Sequence, residues 1–347
     1  MAERKAVSDR LFVRRVLIVL GLAGLAFLVW ELRSLLLMLF GAVVIATIFR
    51  ALADQIARWT KCREGLAVAI AIILILGAAL LLIALFGSQI GQQAKLLRET
   101  LPIAWKSFEA RVGDIGLGEQ LTGLTQSIRA PSGFSAFGNF ILSLGNGIAD
   151  ILVVLVAGIF LAAQPRFYTS GAIKLVPPGK RELAMEAMQD SERALRLWLR
   201  GQIIAMVVVG LLTGVGLWAL GMQSALTLGL LAGVLEFIPF AGPILSAIPA
   251  VLIALAVSPD LALWVLLLYL AVQQFEGNIL TPLVQQYAVD LPGVVLLFSL
   301  LAFGSLFGAL GVVLAAPLAV VTYVLVKRLY VIEALHTPTP IPGETKS

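Results

Sequence analysis

Between Gly201 and Val326 the chain contains no lysine, arginine or histidine, yet it holds four carboxylates, Glu236, Asp260, Glu276 and Asp290. The rest of that stretch is mostly Leu, Val, Ala, Ile, Phe and Gly, interrupted by prolines. Apolar runs of this length belong in a bilayer, where an acid without a neighbouring base is costly. Acids kept under those conditions mark a solute or ion path, so the stretch locates the working part of a transporter.

Composition agrees with that constraint. The mean hydropathy of +1.00 and the 60% hydrophobic fraction exceed those of soluble domains. The runs do not alternate with a period of two, which excludes outer-membrane strands and leaves an all-α polytopic membrane protein of about eight spans. The net charge of +5 sits mainly at the N-terminus and in short loops, where it reads as an orientation signal and not as a nucleic-acid surface. One cysteine, Cys62, excludes an intramolecular disulfide; a single histidine excludes a histidine metal cluster, and its place in the tail, at His336, argues against a Ser-His-Asp triad. The chain is therefore read as no enzyme, with no cofactor and no metal.

Residues 1–87 are read as N-terminal transmembrane helices, with spans over about Leu11 to Trp30, Leu35 to Ile48 and Leu66 to Phe86. Arg4, Lys5, Arg10, Arg14 and Arg15 precede the first, which is read as an uncleaved membrane helix. Arg50, Arg58, Lys61 and Arg63 mark the cytoplasmic side, as does the basic N-terminus, so both termini are expected in the cytoplasm. Residues 88–138 read as a polar amphipathic helix and a Gly/Ser/Thr-rich loop, assigned outside by parity. Residues 139–200 supply a span over about Phe140 to Ala163 and a basic cytoplasmic connection. In that connection Arg193, Arg196 and Arg200 share a helix face, read as lying on anionic headgroups. A cytoplasmic gate is the alternative. Residues 201–330 form the charge-depleted core, and 331–347 a flexible tail.

Two segments of that core are too long for one straight pass. Ala225 to Val257 would be about 50 Å of helix against a hydrocarbon core of about 30 Å. It is broken by Pro239, Gly242, Pro243 and Pro249. Val294 to Val326 is broken by Gly304, Gly308, Gly311 and Pro317. Paired, Gly/Pro-interrupted segments point to a binding site made of broken helices. Either they are re-entrant hairpins, the first dipping from outside and the second from the cytoplasm as an inverted repeat, or each is a kinked crossing. Simple kinking is the plainer reading of the prolines. It fits poorly at Glu236-Phe-Ile-Pro239-Phe-Ala-Gly242-Pro243, where an acid, two prolines and a glycine fall within eight residues. Glu276 and Asp290 border a turn and are expected near water. Asp260, after Ser258-Pro259, is expected to cap the next helix. Gln273, Gln274 and Asn278 either donate to a solute near Glu276 or satisfy one another.

The chain resembles, over nearly its whole length, the AI-2E family of bacterial inner-membrane transporters, and the C-terminal half carries the specific motifs. The likeness lies in Arg200-Gly201-Gln202, in Leu231-Ala-Gly-Val-Leu-Glu236-Phe-Ile-Pro239-Phe-Ala-Gly242-Pro243 and in Ile248-Pro249-Ala. It continues in Gln274-Phe-Glu276-Gly-Asn278-Ile-Leu-Thr-Pro282 and in Phe307-Gly308-Ala-Leu-Gly311-Val-Val-Leu-Ala-Ala-Pro317. The resemblance implies transport. Members are described with about eight spans and assigned either to autoinducer-2 export or to sodium/proton exchange. Many members carry bases after the proline matching Pro282, where this chain has Gln285 and Gln286. A contact those bases make to an anionic group would be missing here.

The expected function is export of a small polar solute coupled to protons, with Glu236 and then Glu276 taking up and releasing them. A sodium/proton antiporter is the alternative, and a non-transporting scaffold is a third reading. Residues expected along the path are Glu236, Pro239, Gly242, Pro243, Gln274, Glu276, Asn278, Gly308, Gly311 and Pro317. Expected partners are the lipid bilayer, a small polar solute or monovalent cation, and further copies in a homo-oligomer, with no nucleic acid. No G-x-x-x-x-G-K-[ST] loop occurs, so ATP-driven transport by the chain alone is not expected.

Overall fold

The computed structural model describes residues 2–84, 148–285 and 291–339, with side chains from residue 16 onward. The reading of 88–138 and of Asp290 and Gln286 lies outside these residues, as does the Gln285 side chain. Every regular element among them is helical. In chain order they are α1 (Ala2–Glu31), α2 (Arg33–Thr60), α3 (Glu64–Ala84), α4 (Ile148–Ala163), α5 (Pro165–Lys174) and α6 (Arg181–Ala219). These are followed by α7 (Ala225–Leu235), α8 (Ala241–Val257), α9 (Pro259–Phe275), α10 (Thr281–Gln285) and α11 (Gly293–Leu325). Five described helices are long and apolar enough to cross a bilayer, or six if the bent pair α4–α5 counts as one. Leucines and isoleucines of α1, α3 and α4 point outward, as lipid-facing side chains must.

Local chemistry sets the boundaries. Pro165 lacks the N–H that would continue α4, and α5 leaves at 93°. Ser258 caps α9, its hydroxyl accepting from the Leu261 N–H at 3.1 Å with Pro259 in the first helical position. This corrects the assignment of the cap to Asp260, which sits in the first turn, where a carboxylate favours the helix dipole.

The second correction concerns α6. The basic amphipathic stretch and the span after it are one uninterrupted helix of 39 residues, about 58 Å long. It therefore continues the line of the span and does not lie flat on headgroups. Arg196 bonds Asp54 of α2 and Glu192, so it is an internal tie. Arg328, beyond α11, pairs with Glu186 of α6, and Arg50 donates to Glu64 and to the Ala162 carbonyl. These ties gather the ends of α2, α4 and α11 and the starts of α3 and α6 at one basic end of the bundle.

The two over-long segments are both helical hairpins, and both rest on α6. Gly229 of α7 touches Gly214 and Gly210, while Gly233 touches Gly210 and Met206. The rising numbers of α7 against the falling numbers of α6 make the pair antiparallel. Ala250 and Ala254 of α8 are then buried with Leu217, Met222, Ala225 and Leu228, near the turn where α7 began. The segment thus goes in and comes back. At 11 residues α7 is about 16 Å long, too short to cross.

The second segment reverses at Gly308, whose φ of +65° and ψ of −144° suit glycine alone. Residues eight apart on a straight helix are about 12 Å apart along its axis. Here a Cβ on Gly304 would lie 2.9 Å from Val312. Leu291, Val320 and Val324 are buried together with Ala194 and Leu195 near the start of α6. This hairpin opens toward the basic end, opposite to the first.

Candidate functional site

The first hairpin turns over Glu236-Phe237-Ile238-Pro239-Phe240. Pro239 cannot donate, and Phe240 adopts φ +63° with the Ala241 N–H bonded to the Pro239 carbonyl at 2.7 Å. The Gly242 N–H closes on Ile238 at 2.8 Å. A Cβ on Gly242 would stand 2.0 Å from the Leu235 carbonyl oxygen, so only glycine lets α8 start this close to the end of α7. The tip is pinned from α6: Trp198 meets the Phe237 ring edge-on at 5.8 Å, and the Gln202 side-chain amide donates to the Glu236 carbonyl at 2.5 Å.

This construction buries Glu236, which keeps 2% of its surface exposed. The helix α9 returns alongside and ends in a π-helical turn, Glu276–Leu280, which brings the Glu276 carboxyl within hydrogen-bonding reach of Glu236. Gln273 fixes Glu276 by donating from Nε2 to Oε2 at 2.6 Å. Two ionised carboxylates offer only acceptors, and Glu236 Oε2 then has no partner among the described residues. A proton on either carboxyl would supply the donor that this pair otherwise lacks. Beside it a groove of about 450 Å³ runs between α8 and α9, lined by Pro243, Ile248, Leu266, Tyr269 and Gln273. Tyr269 crosses it to donate to the Ser246 carbonyl at 3.2 Å.

Of the residues expected along the path, Glu236, Pro239, Gly242, Pro243 and Glu276 meet here. Glu276 is half-buried in the acid pair and does not lie in an exposed turn. Gln274 and Asn278 are exposed, and Asn278 Nδ2 donates to the Gln274 backbone carbonyl at 2.9 Å. Gly308, Gly311 and Pro317 belong to the second hairpin. A Cβ on Gly311 would lie 2.0 Å from the Phe303 carbonyl oxygen, and Pro317 is buried within α11. Gln202 is the site residue that the sequence reading passed over, although it lies in one of the quoted motifs. Its bond reaches 34 residues along the chain. No trio of acids, histidines or cysteines able to hold a metal occurs among the described residues.

Comparison with known proteins adds an independent finding. The sequence pattern described as AI-2E family transporter matches residues 16–330. Over 301 residues the chain is 27% identical to the AI-2 transport protein TqsA of Escherichia coli, covering 83% of this chain and 84% of that protein. Over 151 residues it is 34% identical to the "Putative transport protein YrrI" of Bacillus subtilis, covering 44% of this chain and 43% of that protein. It is also 28% identical over 174 residues to the E. coli "Putative permease PerM", covering 50% of this chain and 49% of that protein. The chain thus spans less than half the length of YrrI and about half that of PerM.

Proposed function

The chain belongs to the AI-2E transporter family, and from that premise we propose that it is a secondary transporter exporting a small polar solute in exchange for protons. The observation that carries this reading is Glu236, buried at the tip of a broken helix with the half-buried Glu276 at the end of α9 beside it, in a stretch without any base. A carboxyl pair that shares one proton can bind it on one side of the membrane and release it on the other, provided the hairpin changes its access. In this conformation Glu236 is closed off, while Glu276 is half-buried. Gln273, which lines the largely apolar groove along α8 and α9, holds Glu276 through its side-chain amide. The solute class follows the family and the TqsA likeness: a small polar solute, an autoinducer-2-like signal or metabolite.

The orientation proposed is an inner-membrane one with both termini in the cytoplasm. The collected basic end of the bundle supports it through the excess of lysine and arginine that cytoplasmic ends carry. The first hairpin then enters from outside and the second from the cytoplasm.

Purified protein in liposomes, with an imposed pH gradient and a panel of small polar metabolites, tests the reading. Proton flux should depend on one class of solute in the native chain and vanish in Glu236→Gln. Full, pH-independent transport by that variant would refute the role. Proton movement driven by sodium alone would replace the exporter with an antiporter.

A further inference from the structure

A second cavity lies away from the acid pair, toward the basic end. It has a volume of about 460 Å³ and opens between α2, α3 and α6. It is lined by Arg58, Arg200 and Gln55 and by Ile48, Ala51, Leu52, Ile75 and Ile203. From Ile48 to Arg58 is about 15 Å along α2, so the cavity runs from the level of headgroups well into hydrocarbon.

The arginines around it fall into two groups. Arg50, Arg196 and Arg328 are all neutralised, by Glu64, by Asp54 and Glu192, and by Glu186 with Asp190. Arg58 and Arg200 are exposed and make no ion pair among the described residues. Two unneutralised guanidiniums over an apolar slot between membrane helices match one kind of occupant. A phosphodiester accepts from both guanidiniums, and acyl chains fill the isoleucine-lined half.

We propose that this cavity binds an anionic phospholipid, with its phosphate on Arg58 and Arg200 and an acyl chain along Ile48, Ile75 and Ile203. The lipid would bridge α2 and α3 to α6, the helix on which both hairpins rest. The proposal does not depend on the solute or on the coupling ion.

Native mass spectrometry of the detergent-purified full chain, offered equal amounts of phosphatidylglycerol and phosphatidylcholine, reads it directly. Phosphatidylglycerol should be retained over phosphatidylcholine on the order of tenfold or more, from two cationic contacts. Arg58→Ala with Arg200→Ala should remove that preference, while Arg58→Lys with Arg200→Lys keeps most of it. Ile75→Trp, which fills the apolar half and leaves both arginines, should also displace the lipid. Arg193→Ala, an exposed arginine outside the cavity, should change nothing. Equal retention of the two lipids, or equal loss with Arg193→Ala, would overturn the proposal. So would inorganic phosphate binding alone at the affinity of the lipid, since that would make the site one for a free anion.

Discussion

The two hairpins use one backbone device for different chemistry. In each, a glycine near the start of the second limb lies against a carbonyl at the end of the first, Gly242 on Leu235 and Gly311 on Phe303. In each, a residue with positive φ makes the reversal, Phe240 in one and Gly308 in the other. The first tip then carries a buried carboxyl held against a second one. The second carries no titratable group, only Ser305, whose hydroxyl bonds the Ala302 carbonyl, and the stacked rings of Phe303 and Phe307. A broken helix in the membrane is therefore not in itself a binding site. What distinguishes the first is the return of α9, which supplies Glu276 and Gln273.

Several substitutions would sharpen or break that contrast. The largest effect is expected on transport: Glu236→Gln should abolish proton-coupled flux in liposomes, whereas Ser305→Ala at the other tip should leave it near the native rate. Equal losses would mean that the two tips work alike. Next come the paired glycines. Gly242→Ala and Gly311→Ala each drive a Cβ into a backbone oxygen and should each destabilise the protein by about 3 kcal/mol, seen as a lowered melting temperature in detergent. Similar costs would support one shared device, and a cost in only one would break the pairing. Gly308→Ala meets open space and is strained only by its backbone, so a smaller loss, about 1–2 kcal/mol, is expected. Gln202→Leu removes the amide that holds the first tip and should cost about 1 kcal/mol, lowering flux more than stability. Arg328→Ala, at the base of the second hairpin, loses a partly exposed ion pair. Its effect should be about 0.5 kcal/mol, visible at low salt and screened at high salt.

Much of the first tip was legible in the chain, and the reason is local. A carboxylate, two prolines and a glycine within eight apolar residues contradict a plain helix wherever they occur. The second break was legible for the same reason, through Gly308 and Gly311. Ser258 could also have been recognised as the cap, because a proline in the first helical position makes the residue before it the cap. Asp260 was preferred on residue type alone. The partnership of Glu236 with Glu276 was not legible, since it depends on how far α9 descends and on the π turn that re-aims its last carboxyl. The partners of Gln202 and Arg196 were not legible for a related reason. Each bonds a residue more than thirty positions away, and neither carries a local sign of its partner.

The sequence by itself determined that this protein lives in a membrane, where its helices must break, and which acid stands without a base. Those properties follow from the cost of burying polar and charged groups in hydrocarbon, which composition alone reveals. Only the tertiary structure decided that the long segments turn back, that they open to opposite ends of α6, that two acids meet, and which arginines stay unpaired. These depend on contacts between distant residues, and such contacts are set by packing geometry that no single stretch of sequence contains.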